Sequence, residues 1–355
     1  MPAPSMTSLK RLVFLLARTL GLFALSRRLY RNRVRVLCYH GFELRDESRF
    51  LPKLYMPAEL FRERMHLLRR KGYAVISLDA AVDAWRRGVN PEDAVVITID
   101  DGWHGIFRHA LPVLEECGFP ATLYLTSYYF DRPAPVFPLA VRYLFWRSPA
   151  ADVDLAALGI PAAGSAPPRS RDAVIERIVD HGQALQGNAG RVDLLNRLAA
   201  MLGFDYAAMA RDRILQLINA GELRKLLDAG VDIQAHTHRH HFPLDPGRAA
   251  AEIRDNQRVV EPLLPAPMRH FCYPSGIWDK RHWPVLEAAG MVSATTCEAG
   301  LADRDTAPYA IPRFLDGTNL ASIEFEAELA GFAQALRDLR RGAAALLARR
   351  QRAPA

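Results

Sequence analysis

The stretch Val95-Val96-Ile97-Thr98-Ile99-Asp100-Asp101-Gly102 sets a β-branched apolar run against two adjacent carboxylates and a glycine. Residues 95–99 read as a buried strand, and the Asp-Asp-Gly that follows reads as the turn at its C-terminal end. Outward from it, similar short runs rich in valine, isoleucine and aromatics recur at 34–39, 73–77, 121–126, 231–235, 269–273, 292–296 and 309–313. Segments of helical period fall between most of them, the clearest at 57–71, 79–88, 104–117, 248–262 and 280–289. Gly72, Gly118 and Gly290 stand just past three of these, where a helix C-terminal stop belongs. The alternation predicts an α/β fold, an irregular parallel (β/α) barrel of about seven strands. No GxGxxG follows a strand, which argues against an open sheet with a dinucleotide crevice.

Between Phe130 and Gly230 the alternation lapses. The stretch PAAGSAPP at 161–168, flanked by helical-looking segments at 172–186 and 208–228, marks an insertion over about 131–230 beside the barrel mouth. The expected organisation is a basic amphipathic segment over 1–33, a barrel over 34–320 and a basic helix over 321–355. In 355 residues, half of them apolar, this amounts to one enlarged catalytic domain.

The net charge of +7 is local. Lys10, Arg11, Arg18, Arg27, Arg28, Arg31, Arg33 and Arg35 stand in a stretch without one acid. Removing these eight from the 46 basic residues leaves 38 against 39 acidic ones, so no excess remains to follow a phosphate backbone, and nucleic acid is excluded as a substrate. The apolar run from Leu12 to Leu25 is interrupted by Arg18 and is too short and charged to span a bilayer. It reads either as an interfacial helix making peripheral contact with anionic lipid or as an amphipathic helix packed on the domain itself. Cys38, Cys117, Cys272 and Cys297 form no CxxC pair and read as free thiols of a reducing compartment. The expected location is therefore cytoplasmic, with membrane association at the inner face and export left open.

On its own, Asp-Asp-Gly is a common way to make a turn. His236-Thr237-His238-Arg239-His240-His241 gives it chemical weight, because it also follows a strand and so opens onto the same, catalytic face of a parallel barrel. His236 and His240 are four residues apart, a spacing that lets two imidazoles reach one ion. One carboxylate added to them makes a three-ligand site with open positions, suited to activating water and a carbonyl, and the second carboxylate is left to take a proton. His241 is a rival to His240 as ligand.

The TIDDG and HTHRH motifs, in this order, resemble those of the polysaccharide deacetylases, carbohydrate esterase family four, over roughly residues 34 to 315. The resemblance implies that Asp100 is the catalytic base and that Asp101, His236 and His240 hold a divalent metal, zinc first, with cobalt, nickel or iron as alternatives. Phe271-Cys272-Tyr273-Pro274-Ser275-Gly276 resembles an FxYPxG branch, and Cys38-Tyr39-His40 the YH of a first strand. His40, Tyr273 and Arg313 are the candidates for the substrate side of the site. Two departures from the family stand out. Cys272 occupies the place of the arginine that steadies the base in many relatives, and Arg313 in IPRF is the candidate to replace it. The late L-x-H histidine has no counterpart after Ile311, so the general acid is unassigned, with His270 and His282 as stand-ins.

The implied activity is metal-dependent removal of an acetyl group from an N-acetylhexosamine in a polysaccharide, oligosaccharide or lipid-linked glycan, with an oxyanion donor expected near Tyr273 to Ser275. Two other readings stay open: a carbohydrate-binding pseudoenzyme that keeps barrel and metal, and an O-deacetylase or other amidase on the same barrel.

Overall fold

The computed structural model describes residues 6–149, 153–161 and 170–352. Its backbone centres on β5 (Ala94–Asp101), all eight residues of which are buried, as a strand covered on both faces of a parallel sheet must be. The other strands are β1 (Arg35–Tyr39), β2 (Gly41–Phe42), β3 (Tyr55–Met56), β4 (Ala74–Val75), β6 (Thr122–Leu125), β7 (Asp232–Ala235), β8 (His270–Cys272), β9 (Ser293–Thr295) and β10 (Phe314–Leu315). Seven of them pair in the order β10-β1-β5-β6-β7-β8-β9, every pair parallel; β4 joins the start of β5, and β2 with β3 forms a separate two-stranded ribbon. Ile311 makes an isolated parallel bridge to Thr295, so the curl nearly closes through the segment that leads into β10.

The expected strands and helices lie where the alternation places them, with two shifts. The last strand is not 309–313 but Phe314–Leu315, because Pro312 has no N–H to continue a ladder beyond the Ile311 bridge. The run 73–77 is regular only at Ala74 and Val75, beside the N-terminal end of β5. Gly72, Gly118 and Gly290 all take positive φ at the ends of their helices.

The insertion lies between β6 and β7. Helices Phe137–Arg147, Arg171–Ala184 and Ala189–Met201 pack Val141, Leu144, Ile178, Leu194 and Leu198 into a core of their own, which Tyr55 and Trp103 join. The expected helical span 208–228 breaks into Tyr206–Arg211 and Ala220–Asp228, with Leu217 between them bridging Trp103. Of PAAGSAPP, all but Pro161 lies outside the described residues.

At the chain ends, α1 (Met6–Thr19) and α2 (Leu22–Leu29) pack Phe14, Ala17 and Phe23 on Ile323, Ala327 and Phe332 of the C-terminal helices. The second of those helices, Phe332–Arg352, accounts for the basic C-terminal segment. A buried ion pair ties helix Ala58–Arg70 to the same region: Arg64 Nε stands 3.1 Å from Asp316 Oδ2, and its other nitrogens donate to Ser322 Oγ and the Leu320 carbonyl at 3.0 Å. Burial outweighs Arg64 and pushes the Asp316 carboxyl up to about 6. The folded protein therefore holds this proton more tightly than the unfolded chain, where the group titrates near about 4. The stability involved is complete below about pH 4 and lost as pH rises through 6, by on the order of 1–3 kcal/mol. Asp316→Asn should remove that loss, read as a flatter dependence of Tm on pH between those limits; parallel profiles for the two proteins would contradict it.

Candidate active site

β5 delivers Asp100 and Asp101, both buried, to its C-terminal end. Asp101 adopts φ 72° and Gly102 φ 96°. The positive φ at Gly102 is strained for any L side chain, and a Cβ there would also displace Leu125 Cδ1, 2.3 Å away, so the turn that presents the carboxylates favours glycine. The Trp103 indole N–H donates to Asp101 Oδ2 at 2.8 Å and fixes the carboxylate. Asp101 Oδ1 is buried and accepts no hydrogen bond of ordinary geometry, yet His236 Nε2 and His240 Nε2 stand 3.3 and 3.2 Å from it.

His236 follows β7. Its Nδ1 lies 2.9 Å from the Cys272 carbonyl, which can only accept, so Nδ1 carries the proton and Nε2 presents a lone pair to Asp101. The Asn256 Oδ1 accepts from the His236 N–H at 3.3 Å, and Asn256 Nδ2 donates to the Leu125 carbonyl and Ser127 Oγ, which pins the loop between β6 and β7. His240 arrives by a backbone at φ 55°, with its ring centroid 4.9 Å from that of His236. One ligand atom from each of Asp101, His236 and His240 lies within 4.8 Å of the others. Two imidazole lone pairs and an orphaned carboxylate oxygen facing one another fit a small divalent cation with an open coordination position. His241 is exposed and its N–H donates to Thr237 Oγ1, so His240 and not its neighbour joins the cluster.

Burial would lower the pKa of His236, but the Asp101 and Asp100 carboxylates more than offset it and the pKa is raised. Without a cation, protons therefore compete for Nε2, and metal affinity should weaken in acid.

Asp100 is held differently. Arg313, fully buried, spans the carboxylate with Nη1 at 2.7 Å from Oδ1 and Nη2 at 2.8 Å from Oδ2. It also donates to Thr98 Oγ1 at 3.0 Å and the Thr296 carbonyl at 2.9 Å, and passes 3.1 Å from Cys272 Sγ. Burial alone would raise the Asp100 carboxyl; the Arg313 guanidinium overcomes it and holds the group well below the usual carboxylate range. The Cys272 and Cys38 thiols lie 3.4 and 3.6 Å from Asp100 Oδ2, and His40 Nε2 3.7 Å. Arg313, directly before β10, thus reaches the carboxylate across β1, with Cys272 on its other flank. Of the candidates for the substrate side, it is fully buried against Asp100 and does not line the cavity over Asp101 and His240.

Tyr273 is also displaced from that role. Its ring is buried between Phe242 and Phe271, and its hydroxyl donates to the Tyr309 carbonyl at 2.9 Å. The Tyr273 N–H donates to the Thr295 carbonyl and residue 274 is proline, which narrows the expected oxyanion donor to Ser275, at φ 57°. The stand-in acids lie elsewhere: His270, at the start of β8, bonds Ser293 and Asp79, and His282 bonds the Pro243 carbonyl beneath Phe242. His40 is the candidate that keeps a place beside the paired carboxylates, with its ring Nδ1 buried and unpartnered.

A cavity of about 570 Å³ opens over Asp101 and His240. Its walls include Trp103, Tyr128, Val136, Leu139 and Arg191, so the insertion supplies part of the surface a substrate would meet. Trp103, which donates to Asp101, and Asn256, which holds the His236 backbone, are the residues at the site that sequence reasoning missed. Only Trp103 had a signal, its position directly after the Asp-Asp-Gly.

The family model described as polysaccharide deacetylase matches residues 87–188 and 203–294. A stretch of 99 residues is 30% identical to the poly-β-1,6-N-acetyl-D-glucosamine N-deacetylase of Escherichia coli K12; it spans 28% of this chain and 14% of that protein. Among solved structures, the Streptococcus pyogenes deacetylase PplD in complex with acetate superposes with a TM-score of 0.55 at 14% identity, covering 84% of this chain and 98% of that one. IcaB from Ammonifex degensii gives 0.52 at 17% identity, covering 85% and 97%. At these identities the structural likeness is one of fold.

Proposed function

The chain belongs to the polysaccharide deacetylase family, and from that premise we propose that it is a metal-dependent N-deacetylase acting on an N-acetylhexosamine within a polysaccharide, oligosaccharide or lipid-linked glycan. The observation that carries the reading is the orphaned Asp101 oxygen facing His236 and His240, with the ionised Asp100 close by and a cavity above. The substrate class draws support from the printed activity of the Escherichia coli relative, a poly-N-acetylglucosamine N-deacetylase.

A divalent ion held by Asp101, His236 and His240, zinc first among zinc, cobalt, nickel and iron, would acidify the attacking water and polarise the acetamide carbonyl. Asp100, fixed by Arg313, takes the proton as the water oxygen bonds to the carbonyl carbon, and returns it to the nitrogen as the C–N bond breaks. Acetate and a free amine result. The Ser275 N–H is assigned to the oxyanion and His40 to the substrate side, while Trp103 orients Asp101 through its indole.

One observation favours a weaker catalyst: His270 and His282 are both committed away from the paired carboxylates, leaving Asp100 to serve as acid as well as base. Single-turnover acetate release from an N-acetylglucosamine oligomer tests the main reading. About one acetate per bound metal is expected, and His236→Ala should weaken metal binding by more than about 100-fold, beyond the usual cost of losing an outer-shell partner. Bound metal with no acetate would leave the carbohydrate-binding pseudoenzyme, and an O-acetyl ester outrunning its amide analogue would make this an O-deacetylase.

A further inference from the structure

α1 and α2 present a strip of leucines to solvent, while Lys10 and Arg18 pair with acids of the C-terminal helices. Leu9, Leu12 and Leu16 fall on one face of α1, Leu20 stands in the turn that follows, and α2 adds Leu25 and Leu29; Leu20 is 75% and Leu29 71% exposed. The opposite face is already used, by Phe14, Ala17 and Phe23 against the C-terminal helices. Lys10 and Arg18 turn inward to Glu324 and Glu326 at 2.8 and 3.2 Å. The helices therefore cannot roll their leucines under without breaking this packing. A surface helix in water carries the reverse arrangement.

We propose that this strip docks the protein on an anionic lipid surface. The strip is aliphatic, without the aromatic and methionine side chains that enrich the core of a protein–protein interface. No acid precedes Glu43; Arg28 is exposed beside the strip, and Arg11 and Arg31 are exposed there too while pairing with Glu324 and Glu92, so the charge that the helices themselves carry is of the sign that anionic headgroups attract. Among the described residues no helix is long and apolar enough to cross a membrane, so the contact is peripheral.

The placement also orients the barrel. Arg27 Nε pairs with Asp93 Oδ1 at 3.2 Å and its Nη1 donates to the Lys71 carbonyl at 2.8 Å, directly before β5 and β4. α2 thus sits at the N-terminal ends of the strands, whereas Asp100, Asp101 and His236 lie at the C-terminal ends. Docked by this face, the protein keeps its cavity open to water.

The test uses the full chain with vesicles of phosphatidylcholine, alone or with about one third phosphatidylglycerol. Co-sedimentation with the anionic vesicles is expected, and Leu16→Glu with Leu25→Glu should cut the bound fraction at least about tenfold without changing the circular dichroism spectrum. Hydrogen exchange on the vesicles should slow across residues 9–29 and stay unchanged at 236–241. A chain that remains in the supernatant overturns the proposal. So does a dimer that the double variant converts to monomer without any vesicle binding, which would make the strip a contact between copies. Slowed exchange at 236–241 overturns the orientation. Neither readout depends on turnover, so failure of deacetylation and failure of docking are distinguishable.

Discussion

Asp100→Asn is expected to lower acetate release by about 10³-fold, within the range spanned by loss of a general base, while the metal content of the protein stays unchanged. The division of labour between the paired carboxylates predicts this outcome. Asp101 Oδ1 stands 3.3 and 3.2 Å from the two imidazoles, whereas Asp100, although a carboxylate oxygen of it lies within 4.8 Å of a His236 ring nitrogen, has both oxygens spanned by Arg313. The single variant has a confounding effect, because an amide at position 100 leaves Arg313 as a buried cation without its counter-charge. Breaking such a pair from one side costs about 3–5 kcal/mol, and a protein so weakened would lose activity for structural reasons. Asp100→Asn combined with Arg313→Met removes both charges at once, and should recover much of the stability. Thermal unfolding and single-turnover assays on the two proteins then separate the causes. Stability that returns without activity assigns Asp100 to the chemistry; activity that returns with stability contradicts its role as base.

How much of this was legible in the chain follows from the range of each interaction. The barrel strands are local patterns, runs of β-branched residues that must be buried on both faces, and the sequence displays them directly. The Asp101–His236–His240 cluster is nearly as local: Asp101 and His236 each stand at a strand end, and parallel strands bring all such ends to one face. His240 over His241 was a matter of spacing, and the loop backbone, with Thr237 and His240 at positive φ, agrees with it. Tyr273 was misplaced because its neighbours mark a functional loop while its own side chain completes an aromatic cluster with Phe242 and Phe271, residues whose proximity no local pattern displays. The convergence of Cys38, Cys272 and Cys297 on Arg313 and Asp100 was hidden for the same reason: three thiols far apart in sequence, on β1, on β8 and just past β9, are brought together by the curl of the sheet.

Arg313→Met is expected to invert the pH dependence that Asp100 imposes. In the native protein burial pushes the Asp100 carboxyl up and Arg313 more than reverses it, so the folded value lies below that of the unfolded chain. The stability this contributes is present above about pH 4 and is lost as pH falls through the depressed folded value. With methionine in place of the guanidinium, burial is left as the largest influence, and the folded value rises above the unfolded one. Stability from this group is then present below about pH 4 and lost as pH rises, with a penalty near neutrality of about 3–5 kcal/mol for a buried carboxylate stripped of its partner. Activity should follow the same titration. A base ionised across the working range gives a rate free of its own protonation on the acid side, whereas the variant should gain activity with rising pH as Asp100 ionises. Arg313→Lys separates charge from geometry, since an ammonium supplies the positive charge but not the two-pronged span of both carboxylate oxygens. It should lower the titration again while restoring only part of the rate. Profiles of kcat/KM against pH for the three proteins, with Tm measured alongside, decide the matter. If Arg313→Met retains the native profile, Asp100 is held ionised by something other than this arginine, and the replacement of the family's arginine by a residue from another strand falls with it.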